Sequence, residues 1–563
     1  MKVLIINLTR MGDLIQTIGL INRINNLYPD ALIDVLVMKG FSPILKHNEN
    51  INKIFSLDHE ILNPNLVDDV WAGFNELYEV IHCLNKNKYD FLFNPIVSQQ
   101  SALLAFLIEA KRKLGLQRTK NNEQKMTCDF IAYQLANEHK LGDFSFNLVD
   151  IMSGMTLDLD RHASNISKKT QNIPLNKEAD FKKNGYITPS FLSLKVFDED
   201  IETIKAFIHK IKSKNKKILG FHIGASQSNK AWNIKYYYKV INDLLEKGDF
   251  CIVLFGGSKE KEYKPFFEAI NNDLFFNMIG DFKLNELIAA ISYIDLMVTN
   301  DTGPMHIAVS LNKPIIDISL GPVSKWETGP YTEKSIIIQA RLDCHPCNFD
   351  FKCPHWNCHH VITPDVVVEV VNSYIKNESS ILNKNLFDKA ILFKTYFDQF
   401  GFHAVRPMNK ENITKIEYIF HIKRFIWSLY ICEKLKTPDV YFQNFMNFLN
   451  EDYIIPDYSF TDLKNFISDL INIISNIIKN LDLICKNLKN VDKNHKYFYE
   501  VKKEKDLLLN KAKDFELIYD WFSFLLFKES DIEEVEISKI VKKTISLYDI
   551  LKMKLILFKD LLP

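Results

Sequence analysis

Twice along this chain, short apolar runs alternate with amphipathic stretches. "KVLIINL", "ALIDVLVM" and "YDFLFNPI" are strand-like. Between them lies "GDLIQTIGLINRINNLYP", where Ile15, Ile18, Ile21 and Ile24 recur every three residues and Leu14 and Leu27 widen the face. Few folds accept this pattern. Apolar strands joined by helical crossovers imply a parallel sheet with helices on both faces. The alternation restarts beyond residue 200. Strand-like "KKILGFHIGA", "FCIVLFGG", "LMVTN" and "PIIDIS" enclose helical "IKYYYKVINDLLEKG", "NELIAAISYI" and "DTGPMHIAVSL". The expectation is an α/β chain with two Rossmann-like, doubly wound domains, at 1–165 and 200–375, joined by a polar stretch without periodicity.

From 376 to 563 strand signals fade and long amphipathic helices take over, which predicts an all-α accessory domain. Its clearest helix runs Leu463, Ile467, Leu470, Ile474, Ile477, Leu481, Ile484, Leu488, a heptad seam, with Ser459 and Asp462 placed for a capping box. The seam fits either a local helical bundle or contact with a second copy or another partner.

At 563 residues the chain is too long for one core. Lys plus Arg and Asp plus Glu are both 70, so no charge excess points to nucleic acid. The N-terminal apolar run is six residues, followed by Arg10 and Asp13, too short for a signal-peptide core. No apolar run reaches the roughly 18 residues of a membrane span. A cytoplasmic protein is expected, with its nine cysteines reduced unless they hold metal.

Chemistry concentrates at strand ends, where doubly wound sheets bind ligands. In "TNDTGPMHIAVSL", Asp301, Thr302 and Gly303 follow a strand and open a helix, with His306 one turn on. Two readings fit: an anion cradle at a helix start, or a helix capped by Asp301 or Thr302. "FHIGASQSNKAW" offers backbone at Gly224 and Ser226, a charge at Lys230 and a flat surface at Trp232. "LFGGSKE" adds Gly256, Gly257 and Ser258. The three loops should converge on one sheet edge. Neither a Walker lysine loop nor Gly-x-Gly-x-x-Gly occurs, which disfavours ordinary kinases and NAD enzymes.

"MGDLIQTIGLINRI", "HIGASQSNKAW", "FGGSKE" and "TNDTGPMHIAVSL" stand in the order and approximate spacing of the ADP-heptose heptosyltransferases, glycosyltransferase family 9. "ISLGPVSKWETGP" resembles the strand and loop that follow in that family. The resemblance covers residues 1 to about 375 and implies a GT-B fold, with acceptor bound by the N-terminal domain and nucleotide sugar by the second. It implies inverting transfer without an obligatory metal or other cofactor. Lys230 and the 301–306 turn would neutralise the departing diphosphate. Asp13 would be the general base, with Arg10 and Gly12 beside the acceptor. The alternative for Asp13 is a helix cap, and His222 and His306 are rival bases.

"CHPCNFDFKCPHWNC" places Cys344, Cys347, Cys353 and Cys358 within 15 residues. This spacing can build a structural zinc or iron site, or leave reduced or disulfide-paired cysteines. Cysteine-rich segments occur near this place in the family, and a longer one binds iron in the autotransporter heptosyltransferases. The expected partners are ADP-heptose or a related nucleotide sugar and a glycolipid or protein acceptor, with no nucleic acid. Peripheral inner-membrane association and oligomerisation through the C-terminal helices stay open. So do a non-catalytic nucleotide-sugar-binding scaffold and another GT-B enzyme, such as an epimerase.

Overall fold

The computed structural model describes residues 1–58, 61, 70–137, 145–157, 188–342, 344–347, 353–376, 388, 390–432, 438–456, 459–486, 491–513, 521 and 537–562. The polar stretch expected as a linker lies mostly outside them.

The first sheet contains β1 (Lys2–Asn7), β2 (Leu32–Met38), β3 (Lys53–Leu57), β4 (Tyr89–Asn94), β5 (Ala110–Arg118) and β6 (Gln124–Met126). Its order is β3-β2-β1-β4-β5-β6, parallel except for the β5–β6 pair. Val3, Leu4, Ile5 and Ile6 of β1 are buried because the central strand is covered on both faces. Helix α1 (Met11–Leu27) lays the predicted isoleucine stripe on this sheet, with Leu14, Ile15, Ile18, Ile21 and Ile24 buried.

The second sheet begins with β7 (Lys217–His222), β8 (Phe250–Gly256), β9 (Phe275–Ile279), β10 (Leu296–Thr299), β11 (Ile315–Ser319) and β12 (Ser335–Ala340). It does not end there. β13 (Ala390–Phe397) and β14 (His403–Pro407) extend it antiparallel, giving the order β14-β13-β12-β11-β10-β7-β8-β9. The first part of the region expected to be all-α therefore completes the second sheet. Buried Leu392, Phe393, Ala404 and Val405 make this hairpin part of that unit's packing.

The helical region starts with helices over Lys415–Ile431 and Asp439–Asp452, then Thr461–Lys486, Val491–Lys513 and Ile537–Leu561. The predicted seam is on Thr461–Lys486, with Leu463, Ile467, Leu470, Ile474, Ile477, Leu481 and Ile484 buried; Leu488 lies outside the described residues. That helix packs on Val491–Lys513 and Ile537–Leu561 of the same chain, as the local-bundle reading requires.

The helices share a core with the N-terminal unit. Trp427 meets Tyr133 edge-on at 5.0 Å, and Phe146 meets Phe402 at 4.8 Å. Arg424 Nη2 donates to Asp398 at 2.6 Å and to the His403 carbonyl at 3.1 Å, while Nη1 bonds the Ser145 carbonyl. Asp150, buried on the helix Leu148–Gly154, joins all three parts. It accepts from Tyr331 Oη at 2.7 Å and from the His403 N–H at 2.8 Å.

Candidate active site at two facing switch points

Strand order reverses around β1 and β4 in the first sheet, and around β7 and β10 in the second. Such reversals open a crevice at the carboxyl ends of the strands. Residues 10–13 follow β1, 224–232 follow β7, and the helix α2 (Gly303–Ser310) opens just after β10. These segments meet. A Cβ on Gly12 would lie 3.0 Å from His306 Cδ2, and one on Gly303 would collide with the Met11 side chain. The two turns thus lie in van der Waals contact, with little room for a Cβ at either glycine.

Asp301 is the polar centre of the second unit's share. Its carboxylate accepts from Thr328 Oγ1 at 2.6 Å and lies 3.8 Å from Lys230 Nζ and 3.7 Å from His306 Nε2. Thr302 is the N-cap of α2 but makes no side-chain capping bond. The side-chain cap required by the ordinary-helix reading is therefore not formed by Thr302, and Asp301 is engaged with Thr328 and its charged neighbours.

Burial sets the charge here. Asp317, wholly buried below the turn on β11, is pushed well above the carboxylate range by desolvation and then by Asp301. Glu327 is pushed up to about 7, first by burial and then by Asp301, with Lys230 opposing and Asp13 adding. Glu327 is therefore partly protonated near neutrality, which lightens the negative charge around Lys230. His306 is held below the ordinary imidazole value by burial, against the pull of Asp301. His222 is pushed down to about 4 by burial.

Asp13 sits in the first turn of α1, and its carboxyl is raised first by burial and then by Asp301. The Thr9 hydroxyl and the Arg10 side chain and N–H oppose the rise. This coupling to Asp301 across the junction brings Asp13 and the 301–306 turn into one electrostatic unit. Arg10, the N-cap of α1, is exposed.

The remaining candidates divide. Lys230 is buried beside Asp301, whereas Ser226, Gly257 and Ser258 are exposed at the rim and Gly256 is partly covered. Trp232 departs from expectation. It is 2% exposed, donates its indole N–H to the Ile362 carbonyl at 3.0 Å and belongs to the core under β7. It offers no flat surface to a ligand. Its backbone N–H and Tyr237 Oη both donate to Asn300 Oδ1, at 3.1 and 2.9 Å, which ties the β7 and β10 loops together.

Three residues in the site were not singled out from sequence: Glu260, Glu327 and Thr328. Glu260 accepts from the Gly257 N–H at 2.7 Å, and a Cβ on Gly224 would lie 2.8 Å from its carboxyl carbon. The paired glycines of "FGGSKE" were the available signal for Glu260. For Glu327 and Thr328 the signal was "ISLGPVSKWETGP", the loop that follows β11.

The cysteine segment packs behind these loops. The Cys347 N–H donates to the Gly321 carbonyl at 2.9 Å, and His359 Nε2 lies 3.0 Å from the Asn229 carbonyl. Cys347 is pushed up to about 11, first by burial and then by the Cys358, Cys344 and Cys353 thiols. The four are free thiols, and among the described residues no three His, Cys, Asp or Glu side chains converge to hold a metal ion. No helix among the described residues is long and apolar enough to cross a membrane.

Residues 77–355 match the family model for glycosyltransferase family 9 (heptosyltransferase). The lipopolysaccharide heptosyltransferase 2 of Escherichia coli (strain K12) is 24% identical over 389 residues, 68% of this chain and 100% of the relative. The lipooligosaccharide heptosyltransferase 2 of Haemophilus ducreyi is 25% identical over 396 residues, 67% of this chain and 99% of the relative. A family 9 glycosyl transferase structure from Veillonella parvula aligns with TM-score 0.49 and 19% identity over 67% of this chain and 97% of its own. The segment carrying both sides of the β7–β10 switch point, residues 77–355, is thus a glycosyltransferase family 9 (heptosyltransferase) domain.

Proposed function

We propose that the chain is an inverting glycosyltransferase that moves heptose from ADP-heptose to a lipopolysaccharide core sugar or a protein side chain. The observation that carries this reading is the meeting of Asp13 with the Asp301, Lys230 and His306 cluster across the junction of the two units. The donor diphosphate lies against Lys230 and the start of α2, where a cation and a helix N-terminus favour the charge that grows as the anomeric bond breaks. Glu260, a carboxylate at the end of β8, is suited to ribose hydroxyls. Asp13 takes the proton of the acceptor hydroxyl as that oxygen attacks the anomeric carbon, while ADP leaves from the opposite face.

Asn300 and Thr328 hold the loops in place. The cysteine segment buttresses residues 229 and 321 from behind. We place the protein in the cytoplasm, with zinc or iron, if held by the four thiols, serving structure and taking no step in the transfer. Incubation with ADP-heptose and either a truncated core oligosaccharide or a candidate acceptor protein, read by mass spectrometry, tests the reading. A heptose-sized mass increase on one acceptor is expected. Consumption of ADP-heptose without transfer, or no consumption with every acceptor, would refute it.

A further inference from the structure

Lys230 carries its charge on a flexible stem, so the place of its ammonium depends on how its backbone is held. It ends the short 3₁₀ turn Ser228–Lys230, in which the Lys230 and Ala231 N–H groups bond back to the Gln227 and Ser228 carbonyls at 3.1 and 3.2 Å. So short a turn does not hold itself in place. Its downstream end is tied where the Trp232 N–H donates to Asn300. Its middle is tied from the cysteine segment, by His359.

His359 is buried on the short helix Asn357–Val361. Its Nε2 lies 3.0 Å from the Asn229 carbonyl, and the ring also bonds the Ala231 backbone. One imidazole therefore holds the residues on either side of Lys230. The Asn229 carbonyl has no room to move towards Gly321, where a Cβ would lie 2.4 Å from it. Gly321 is in turn bonded by the Cys347 N–H at 2.9 Å. The helix that presents His359 starts from a strained residue. Trp356 has φ +52°, a left-handed conformation that is rare for a bulky side chain. Its N–H donates to Cys353 Sγ at 3.3 Å, and its ring meets the His359 ring at 4.9 Å. Such strain persists only where the surroundings over-determine it, and here it aims His359 at the Lys230 turn.

We infer that His359 is a positioning residue for Lys230: through its bonds to residues 229 and 231 it sets the ammonium against the donor diphosphate. This rests on the placement of that diphosphate at Lys230. His359 acts through the backbone, so its loss matters only as far as Lys230 does. A misplaced ammonium still attracts the diphosphate, but not in the geometry that binds it best.

A double-mutant cycle on the full chain, with ADP affinity read by calorimetry, tests this. With Lys230→Ala weakening ADP about tenfold, His359→Leu should weaken it by about three- to tenfold, the range of a lost buried hydrogen bond. Added to Lys230→Ala, His359→Leu should change the Kd by less than about twofold, because no ammonium is left to misplace. His359→Gln, whose amide can donate to the same carbonyl, should stay within about twofold of wild type. Adenosine, which lacks the diphosphate, should bind the His359→Leu chain as tightly as wild type by ligand-observed NMR. Should the leucine chain fail to fold, His359→Asn, a shorter amide, takes its place in the cycle. Additive losses in the double variant, an equal loss for adenosine, no rescue by glutamine, or unchanged ADP affinity in His359→Leu while Lys230→Ala weakens it would overturn the assignment. Unchanged ADP affinity in Lys230→Ala would instead refute the diphosphate placement, and the assignment with it.

Discussion

Asp150 offers a test of how the three parts of the chain are held together. It is buried, accepts from Tyr331 Oη and the His403 N–H, and is pushed up to about 7, chiefly by desolvation. Its folded value exceeds the unfolded one, so between about pH 4 and 7 the native state binds more protons. The stabilising contribution is full below the unfolded pKa and is lost as pH rises through about 7. A shift from 3.8 to about 7 corresponds to on the order of 4 kcal/mol. Asp150→Asn removes this titration. It keeps an acceptor for Tyr331 but turns an amide towards the His403 N–H, costing about 1–3 kcal/mol. Urea unfolding at pH 5, 6, 7 and 8 should show the variant clearly weaker at pH 5, with the gap narrowing or reversing by pH 8. Parallel pH profiles for wild type and variant would refute the argument.

Asp13→Asn should lower kcat by about a hundredfold or more, as expected for a lost general base, with ADP affinity and melting temperature near wild type. Because Asp13 is raised, the wild-type rate should fall on acidification at a pH above the ordinary carboxylate range; a rate flat through that region would count against the role. Lys230→Ala should weaken ADP about tenfold, as a charge-assisted contact predicts, measured by calorimetry; unchanged affinity would move the diphosphate elsewhere. A chain ending at 376 should be insoluble. It loses Leu392, Phe393, Phe402 and Val405, which contribute about 6–12 kcal/mol by burial, comparable with the stability of a domain. A soluble truncation that binds ADP normally would contradict this. Metal analysis of anaerobically purified protein tests the cysteine segment: about one zinc or iron per chain supports a structural site, and four titratable thiols with negligible metal remove it.

What was legible depended on periodicity and strand ends. Alternating apolar runs identified both sheets, and the turns after β1, β7 and β10 could be found because each follows such a run. The hairpin of β13 and β14 was missed because "AILFKTYF" and "HAVRP" come after the parallel series, inside a stretch dominated by helical spacing. Trp232 misled because an aromatic after a strand looks the same whether its ring faces solvent or the core; only Ile362, 130 residues later, decides it. Glu327 owes its raised carboxyl to burial and to Asp301 on another loop, which no local pattern encodes.

The late hairpin also has a consequence in time. β12 is complete at Ala340, but the strands that cover its edge run only from Ala390 to Pro407. At about 5–20 residues per second, a ribosome takes about 3–13 s to make the intervening chain. Throughout that interval, the edge residues Ile336, Ile337 and Ile338 await partners that have not yet been synthesised. A nascent second unit is thus open to pairing with another chain during each round of synthesis, and slowing elongation in this stretch should raise its dependence on chaperones.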